Sequence, residues 1–167
     1  SADGFGGGRT RERKLEIMRD SRIGSYGAIA LALAMIAKAS VFAALAPLPF
    51  YQLIALFAVA GAASRLWMVV LMWATPPARA DGLSAMTGRP GAGSAVAATL
   101  LTASIGLPAS MWFSHPTLIA ALTSLIAAVL MRRLALRQIG GQTGDVCGAM
   151  QMATEIVILA SFTATLR

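Results

Sequence analysis

Five stretches of mostly apolar residues dominate the pattern along the chain. They cover residues 26–46, 50–74, 94–113, 117–131 and 149–166. None shows the strict alternation of apolar and polar positions that is typical of a half-buried strand. Because a helix needs about 20 mostly apolar residues to cross a bilayer core, the pattern predicts about five transmembrane helices. The stretch 117–131 is the shortest, and it spans only if Arg132 and Arg133 reach the headgroups with their long side chains.

The composition supports the same interpretation. Of the 167 residues, 57% are hydrophobic and 13% are charged, and the mean hydropathy is +0.70. An average soluble chain is about a quarter charged, so this chain lacks the polar groups to cover a surface that faces water. We therefore predict an all-α integral membrane protein, a multi-pass helical bundle that forms a single membrane domain over residues 1–167. A lone cysteine, Cys147, excludes an intramolecular disulfide and a multi-cysteine zinc site.

The net charge of +7 has an uneven distribution along the chain. Eleven of the 14 Lys and Arg residues lie in three long polar segments, at 1–25, 75–93 and 132–148, whereas the tight turns at 46–49 and 114–116 have none. Cytoplasmic loops of membrane proteins carry an excess of Lys and Arg. The pattern therefore predicts that the three long segments face the cytoplasm, and it favours this explanation of the charge over nucleic-acid binding.

Six of the seven acidic residues lie in the same three segments. This asymmetry favours chemistry or binding at the cytoplasmic surface over a transport pathway through the bundle. The seventh, Glu155, lies six residues into the last predicted span, a depth of about 9 Å. We interpret it as the floor of a surface site.

Two candidate motifs precede the first span. The segment 3–8 combines the Asp3 carboxylate with a glycine-rich backbone whose N–H groups could bind an anion, although a frayed terminus explains the same residues. A short helix is predicted over 10–21. Near its end Arg19, Asp20, Ser21 and Arg22 place two guanidinium groups beside a carboxylate and a hydroxyl, a grouping that suits a phosphate with its metal ion. The alternative is an interfacial helix attracted to anionic lipid.

A third motif covers residues 139–145 and ends at Asp145, where we expect a helix N-cap. Capping alone would explain this aspartate. However, Gly148, Gln151 and Glu155 continue a small and polar stripe along the same helix face, so a site is also plausible there.

Three ionisable residues lie within the predicted spans, and such residues are costly unless they are paired or functional. Arg65 is about 14 Å from the inner end of its span, about 5 Å deeper than Glu155. We therefore predict a pair between Arg65 and Glu155. Lys38, about 18 Å deep, is the poorer partner.

Two long motifs carry a resemblance to a known family. Residues 13–27, preceded by residues 2–8, closely resemble cobalamin synthase, the adenosylcobinamide-GDP ribazoletransferase family. The segment 139–149 with Glu155, and residues 65–68 within a span, strengthen the resemblance, which runs over the whole chain.

The resemblance implies a multi-pass enzyme of a bacterial or archaeal inner membrane that acts in the last stages of cobalamin (vitamin B12) biosynthesis. Its reaction would join α-ribazole, or its phosphate, to adenosylcobinamide-GDP and give adenosylcobalamin and GMP, with Mg²⁺. The expected partners are these substrates and the lipid bilayer. No nucleic acid is expected, and an oligomer is possible.

The resemblance also implies residue roles. Asp3, Asp20 and Asp145 would hold the magnesium ion and act in catalysis, and Arg19, Ser21 and Arg22 would bind substrate phosphates. Arg65 and Glu155 are weaker candidates for substrate binding. Family members have further membrane sequence and an acid-rich run before Asp3, so we expect this chain to be the C-terminal portion of a member.

Two other function classes remain open at this point. A lipid head-group transferase of the CDP-alcohol class shares aspartate and glycine chemistry at the cytoplasmic face, but its signature of Asp-Gly-x-x-Ala-Arg followed by two spaced aspartates is not found here. A non-enzymatic membrane subunit or small transporter would use Glu155 or Lys38 without pyrophosphate chemistry.

Overall fold

Helices make up the regular structure of residues 1–79 and 88–165, the part of the chain that this computed structural model describes. In chain order they are α1 (Ala2–Gly7), α2 (Arg11–Arg19), α3 (Ser25–Leu45), α4 (Phe50–Ala74), α5 (Ala92–Ser110), α6 (Ser114–Ile139) and α7 (Gly144–Thr165). Within these residues no strand forms, and one isolated bridge joins Pro77 to Gln142. The middle of the polar segment predicted at 75–93, and residue 166 of the last predicted span, lie outside the described residues.

The five long helices α3 to α7 are each long and apolar enough to cross a bilayer. The prediction of an all-α, multi-pass helical membrane protein is confirmed. The predicted bounds hold for α4, and α3 and α5 begin and end within a few residues of the predicted stretches.

Helix α6 corrects the fourth predicted span, because it continues past residue 131 to Ile139. Ala135 and Ile139 on its added turns are fully buried, so these turns are held by core packing although their outer face is basic. Arg132 does not need to reach the headgroups: its guanidinium donates to Thr75 Oγ1 at 3.2 Å and to the Ala74 carbonyl at 3.1 Å, at the C-terminus of α4. The predicted long polar connection at 132–148 is wrong, and only residues 140–143 join the two helices.

Helix α7 begins at Gly144, five residues before the predicted span. Glu155 therefore lies 11 residues into the helix, a depth of about 17 Å rather than about 9 Å. This places Glu155 deep within the bundle and corrects its interpretation as the floor of a surface site.

The core is built around α7, which packs against α3, α4 and α6. Near its N-terminus, Val146 and Met150 join a cluster with Ile139 and Leu71. Towards its other end, a second cluster includes the edge-to-face rings of Phe162 and Phe113, whose centroids are 5.7 Å apart. The N-terminus of α7, which carries Asp145, is therefore rigidly placed.

Candidate functional site

An open cleft of about 470 Å³ lies where α1, the end of α2 and the N-termini of α3 and α7 meet. Its lining includes six residues singled out in the sequence: Asp3, Arg19, Asp20, Ser21, Arg22 and Asp145. We call it the polar cleft. The three motifs, which are far apart in sequence, thus contribute to one site.

Asp3 is held by the N-terminus of α3. One carboxylate oxygen accepts from the Gly24 N–H and the other from the Gly27 N–H, both at 2.9 Å. These are among the N–H groups that a helix leaves unpaired at its start, and the N-cap residue Gly24 has no side chain to bind them. The bonds from Gly27 and Gly24 lower the pKa of Asp3. Asp3 is therefore an ionised, long-range cap for α3.

The two glycines are needed for this contact. A Cβ atom at Gly24 or at Gly27 would collide with the Asp3 carboxylate. Both lie in the sequence motif that resembles the family, but the sequence alone assigned them no role. The segment before them also differs from the expectation, because residues 2–7 form the short helix α1 and not a flexible anion-binding loop.

Asp20 and Arg22 bind each other. Arg22 Nε contacts both carboxylate oxygens at 3.2 and 3.1 Å, Nη2 contacts Oδ2 at 2.9 Å, and the Arg22 backbone N–H donates to Oδ1 at 3.0 Å. Arg22 lowers the pKa of Asp20, and the carboxylate raises the pKa of Arg22. The Arg22 side chain is 88% exposed, so it is oriented by Asp20 while it stays accessible to a ligand.

Asp145 is exposed in the first turn of α7. The expectation that it caps this helix is wrong, because Thr143 does so: its Oγ1 accepts from the Val146 N–H at 3.4 Å. Among residues 1–79 and 88–165 the structure gives no hydrogen bond to the Asp145 carboxylate. Capping thus does not account for this acid, which lines the cleft.

The short loop before Asp145 is fixed to the segment that follows α4. Gln142 is 1% exposed; its N–H donates to the Pro76 carbonyl at 2.9 Å, and its carbonyl accepts from the Ala78 N–H at 2.8 Å. A Cβ at Gly141 would collide with the Pro76 carbonyl and the Ala78 backbone. Gly140 ends α6 in the left-handed conformation with φ of 72°. These contacts position Asp145, and sequence reasoning missed them.

Lys14 has a structural role at the site that the sequence analysis did not identify. It is 8% exposed, and its Nζ donates to the Phe5 carbonyl at 3.3 Å and to Gln138 Oε1. It thereby joins α1 and α2 to α6 beneath the cleft. Its spacing of four residues from buried Met18 places both on one helix face, a signal that could have identified it.

Arg65 and Glu155 lie outside the polar cleft and do not pair, so that prediction is wrong. Glu155 Oε1 instead accepts from Lys38 Nζ at 3.1 Å, while Arg65 is exposed and donates to the Gly61 carbonyl of its own helix at 2.9 Å. Depth alone does not decide the partner, because Glu155 at about 17 Å is within about 3 Å of both Arg65 and Lys38 in depth. The helix face does: Arg65 lies on an exposed face of α4, whereas Lys38 is mostly buried on α3, which packs against α7.

The cleft supplies carboxylate oxygens, which Mg²⁺ prefers, but not a complete cage. Among the described residues no group of three His, Cys, Asp or Glu side chains is arranged to hold a metal ion. Asp3 is already bound to backbone N–H groups and Asp20 to Arg22. Protein-bound Mg²⁺ often has only one or two carboxylate ligands and takes the rest from water and substrate phosphates. The residues present fit an ion of that kind, with Asp145 as the cleft carboxylate that no described residue hydrogen-bonds.

Comparison with known proteins identifies the family. The model of the family described as cobalamin-5-phosphate synthase matches residues 1–163. The chain belongs to the cobalamin-5-phosphate synthase family. The resemblance found in the sequence motifs is thereby confirmed.

Three curated relatives in this family are named adenosylcobinamide-GDP ribazoletransferase. The protein of Bradyrhizobium diazoefficiens is 48% identical over 95% of this chain and 60% of its own length. That of Azorhizobium caulinodans is 46% identical over 95% of this chain and 61% of its own length, and that of a Sinorhizobium species is 46% identical over 99% and 64%. The chain thus spans about three fifths of the length of these bacterial relatives. No solved structure matches it.

Proposed function

We propose that the protein to which this chain belongs is an adenosylcobinamide-GDP ribazoletransferase that joins α-ribazole, or its phosphate, to adenosylcobinamide-GDP in cobalamin biosynthesis. The observation that carries the proposal is the polar cleft, in which residues of three distant motifs gather at one end of a membrane bundle. Acids, arginines and backbone N–H groups around one space suit a pyrophosphate. The name shared by the family relatives supports this substrate class.

In the proposed reaction a ribose hydroxyl of α-ribazole attacks the phosphorus that is attached to cobinamide, and GMP leaves. Arg22, oriented by Asp20, binds phosphate oxygens with the guanidinium edge that Asp20 does not occupy, and Arg19 and Ser21 lie along the same wall. Asp3 keeps the N-terminus of α3 in place at the opposite side. In such transfers the protein mostly positions the reactants and neutralises charge.

Asp145 is the residue best placed to hold a magnesium ion together with substrate phosphates, and Asp3 and Asp20 are second-choice ligands because their oxygens are engaged. When bound, such an ion would neutralise charge that develops on the pyrophosphate. Asp145 itself is fixed by the Gln142 loop and by the packed base of α7, so its position is set before substrate arrives.

The assay is release of GMP by the full-length protein in liposomes with adenosylcobinamide-GDP, α-ribazole and Mg²⁺. Asp145→Asn should lower turnover by about a hundredfold or more, as loss of a preorganised electrostatic partner does. Glu12→Gln, an exposed acid on α2 that does not line the cleft, should retain wild-type turnover. Absence of GMP from the wild-type protein, or turnover of a CDP-alcohol in its place, would contradict the proposal.

The proposed orientation places the polar cleft at the cytoplasmic face of the inner membrane, as the positive-inside rule requires for the basic segment 1–25. Cysteines at the two ends of α5 test it in a Cys147→Ser background. A cysteine at Gly93 should react with an impermeant thiol reagent only in inverted vesicles, and one at Met111, which is 85% exposed, only in intact cells. The reverse pattern would overturn the orientation.

A further inference from the structure

An apolar groove of about 500 Å³ runs from the polar cleft into the membrane part of the bundle, between α3, α6 and α7. It shares Ser1 and Gly27 with the lining of the cleft. Asp145, which lines the cleft, is three residues before Gly148, which lines the groove. The two spaces are therefore contiguous, one polar and the other apolar.

Small side chains occur beside larger ones on the two facing walls of the groove, where Leu31, Met152 and Ile156 also line it. Gly27, Ala30 and Ala34 line it on α3, and Gly148 and Ala153 on α7. Small residues on facing membrane helices usually permit close contact of the two backbones. Here a slot remains between the helices along these turns.

The groove is short, and a polar contact lies near its membrane end. Its lining extends from Gly27 to Ala34 on α3, a rise of about 10 Å. One turn beyond Ala34, Lys38 forms its ion pair with Glu155 and joins α3 to α7. A lipid acyl chain spans half of a hydrocarbon core of about 30 Å, or about 15 Å, and is longer than this slot.

We propose that the apolar groove binds the uncharged, flat base of the nucleoside substrate, while its ribose hydroxyl lies in the polar cleft. This assignment rests on the proposed function. It accounts for the contiguity of the two spaces, since a nucleoside with an apolar base has one end for each. It also separates the two substrates, because the charged GDP portion of the other substrate is confined to the arginine-lined cleft.

Substitutions that narrow the groove test the assignment in the full-length protein. They should raise KM for one substrate and leave KM for the other unchanged. Ala34→Leu and Ala153→Leu should each raise KM for α-ribazole by about tenfold or more, because a single methylene in a pocket is worth about 10-fold to 200-fold in discrimination. KM for adenosylcobinamide-GDP should stay within about twofold, well below that range. Ala32→Leu, the same change on the exposed opposite face of α3, is the matched control.

A binding measurement covers the case in which a leucine variant does not fold. In Ala34→Cys with Cys147→Ser, saturating α-ribazole should slow alkylation by a membrane-permeant maleimide at least severalfold, and adenosylcobinamide-GDP should not.

Wild-type turnover with KM values unchanged in both leucine variants, or alkylation that α-ribazole does not slow, would overturn the groove assignment and leave the proposed function intact. Absence of wild-type turnover contradicts the proposed function itself. The two failures are thus distinguishable.

Discussion

Helices α3 and α7 both begin at the polar cleft, and each is associated there with one acid, but they are held in different ways. Over an apolar stretch of 18 residues, 44% of the residues of α7 are buried, against 11% of those of α3. α7 is fixed by side-chain packing along its length. Among residues 1–79 and 88–165, α3 contacts mainly α1 and α7. Two polar contacts stand out: the Asp3 carboxylate at its start and the Lys38 pair with Glu155 in the bundle. One side of the site is thus placed by packing and the other by a few charged groups.

The largest effect is expected when the deep polar contact of α3 is broken. Lys38→Met leaves Glu155 unpaired in the bundle and should destabilise the protein by about 3–5 kcal/mol, whereas the double variant Lys38→Met with Glu155→Gln should regain much of this loss because a buried pair contributes little net stability. Thermal unfolding in detergent measures both. Strictly additive losses in this double-mutant cycle would mean that the two residues do not interact.

A smaller loss of stability, caused by packing alone, should distinguish α7 from α3. Leu159→Ala on α7, where the side chain is 1% exposed, should destabilise the protein by about 2–4 kcal/mol through the cavity that it leaves. The same change at Leu33 on α3, which is 61% exposed, should have little effect. Equal losses in melting temperature for the two variants would contradict the contrast between the helices.

The smallest effect concerns pH and the Asp3 cap. The Gly27 and Gly24 N–H groups lower the pKa of Asp3 below its usual value of 3.8. The ionised carboxylate therefore contributes stability that is complete above that value and is lost as pH falls through the lowered pKa. Melting temperatures should decline less steeply below pH 4 in Asp3→Asn than in the wild type. A wild-type decline that Asp3→Asn leaves unchanged would assign the acid sensitivity to other carboxylates.

The sequence predicted the fold where polar residues bracket an apolar run. Helix α4 matches its predicted range 50–74, since a proline turn and a polar segment flank it. The prediction failed between α6 and α7, because Arg132 and Arg133 lower the local hydropathy while Ala135 and Ile139 on the same turns are buried. A hydropathy value averaged over all faces of a helix hides such a buried stripe.

The motif residues that line the candidate site could be predicted from the sequence, but their contacts could not. Six motif residues were expected together and line one cleft, because the motifs themselves carry the polar groups. The cap at Asp3 and the anchoring of Gln142 join positions 21 or more residues apart, and spacing along the chain does not reveal such pairs. The preference for Arg65 over Lys38 came from a start of α7 that was five residues too late. The corrected depth of Glu155 is equally near to both cations, and the exposed face on which Arg65 lies leaves Lys38 as the partner.

The two members of the Lys38 ion pair reach the membrane at different times. Its partner Glu155 is 117 residues further along the chain, so during synthesis α3 enters the bilayer before the neutralising charge exists. A central lysine raises the apparent insertion free energy of a helix by about 3 kcal/mol, and leucine, isoleucine and phenylalanine each lower it by about 0.3–0.6 kcal/mol. The exposed Ile29, Leu31, Leu33, Ile36 and Phe42 of α3 together lower it by about 1.5–3 kcal/mol and so offset much of the cost of the lysine, until α7 arrives and supplies the counter-charge.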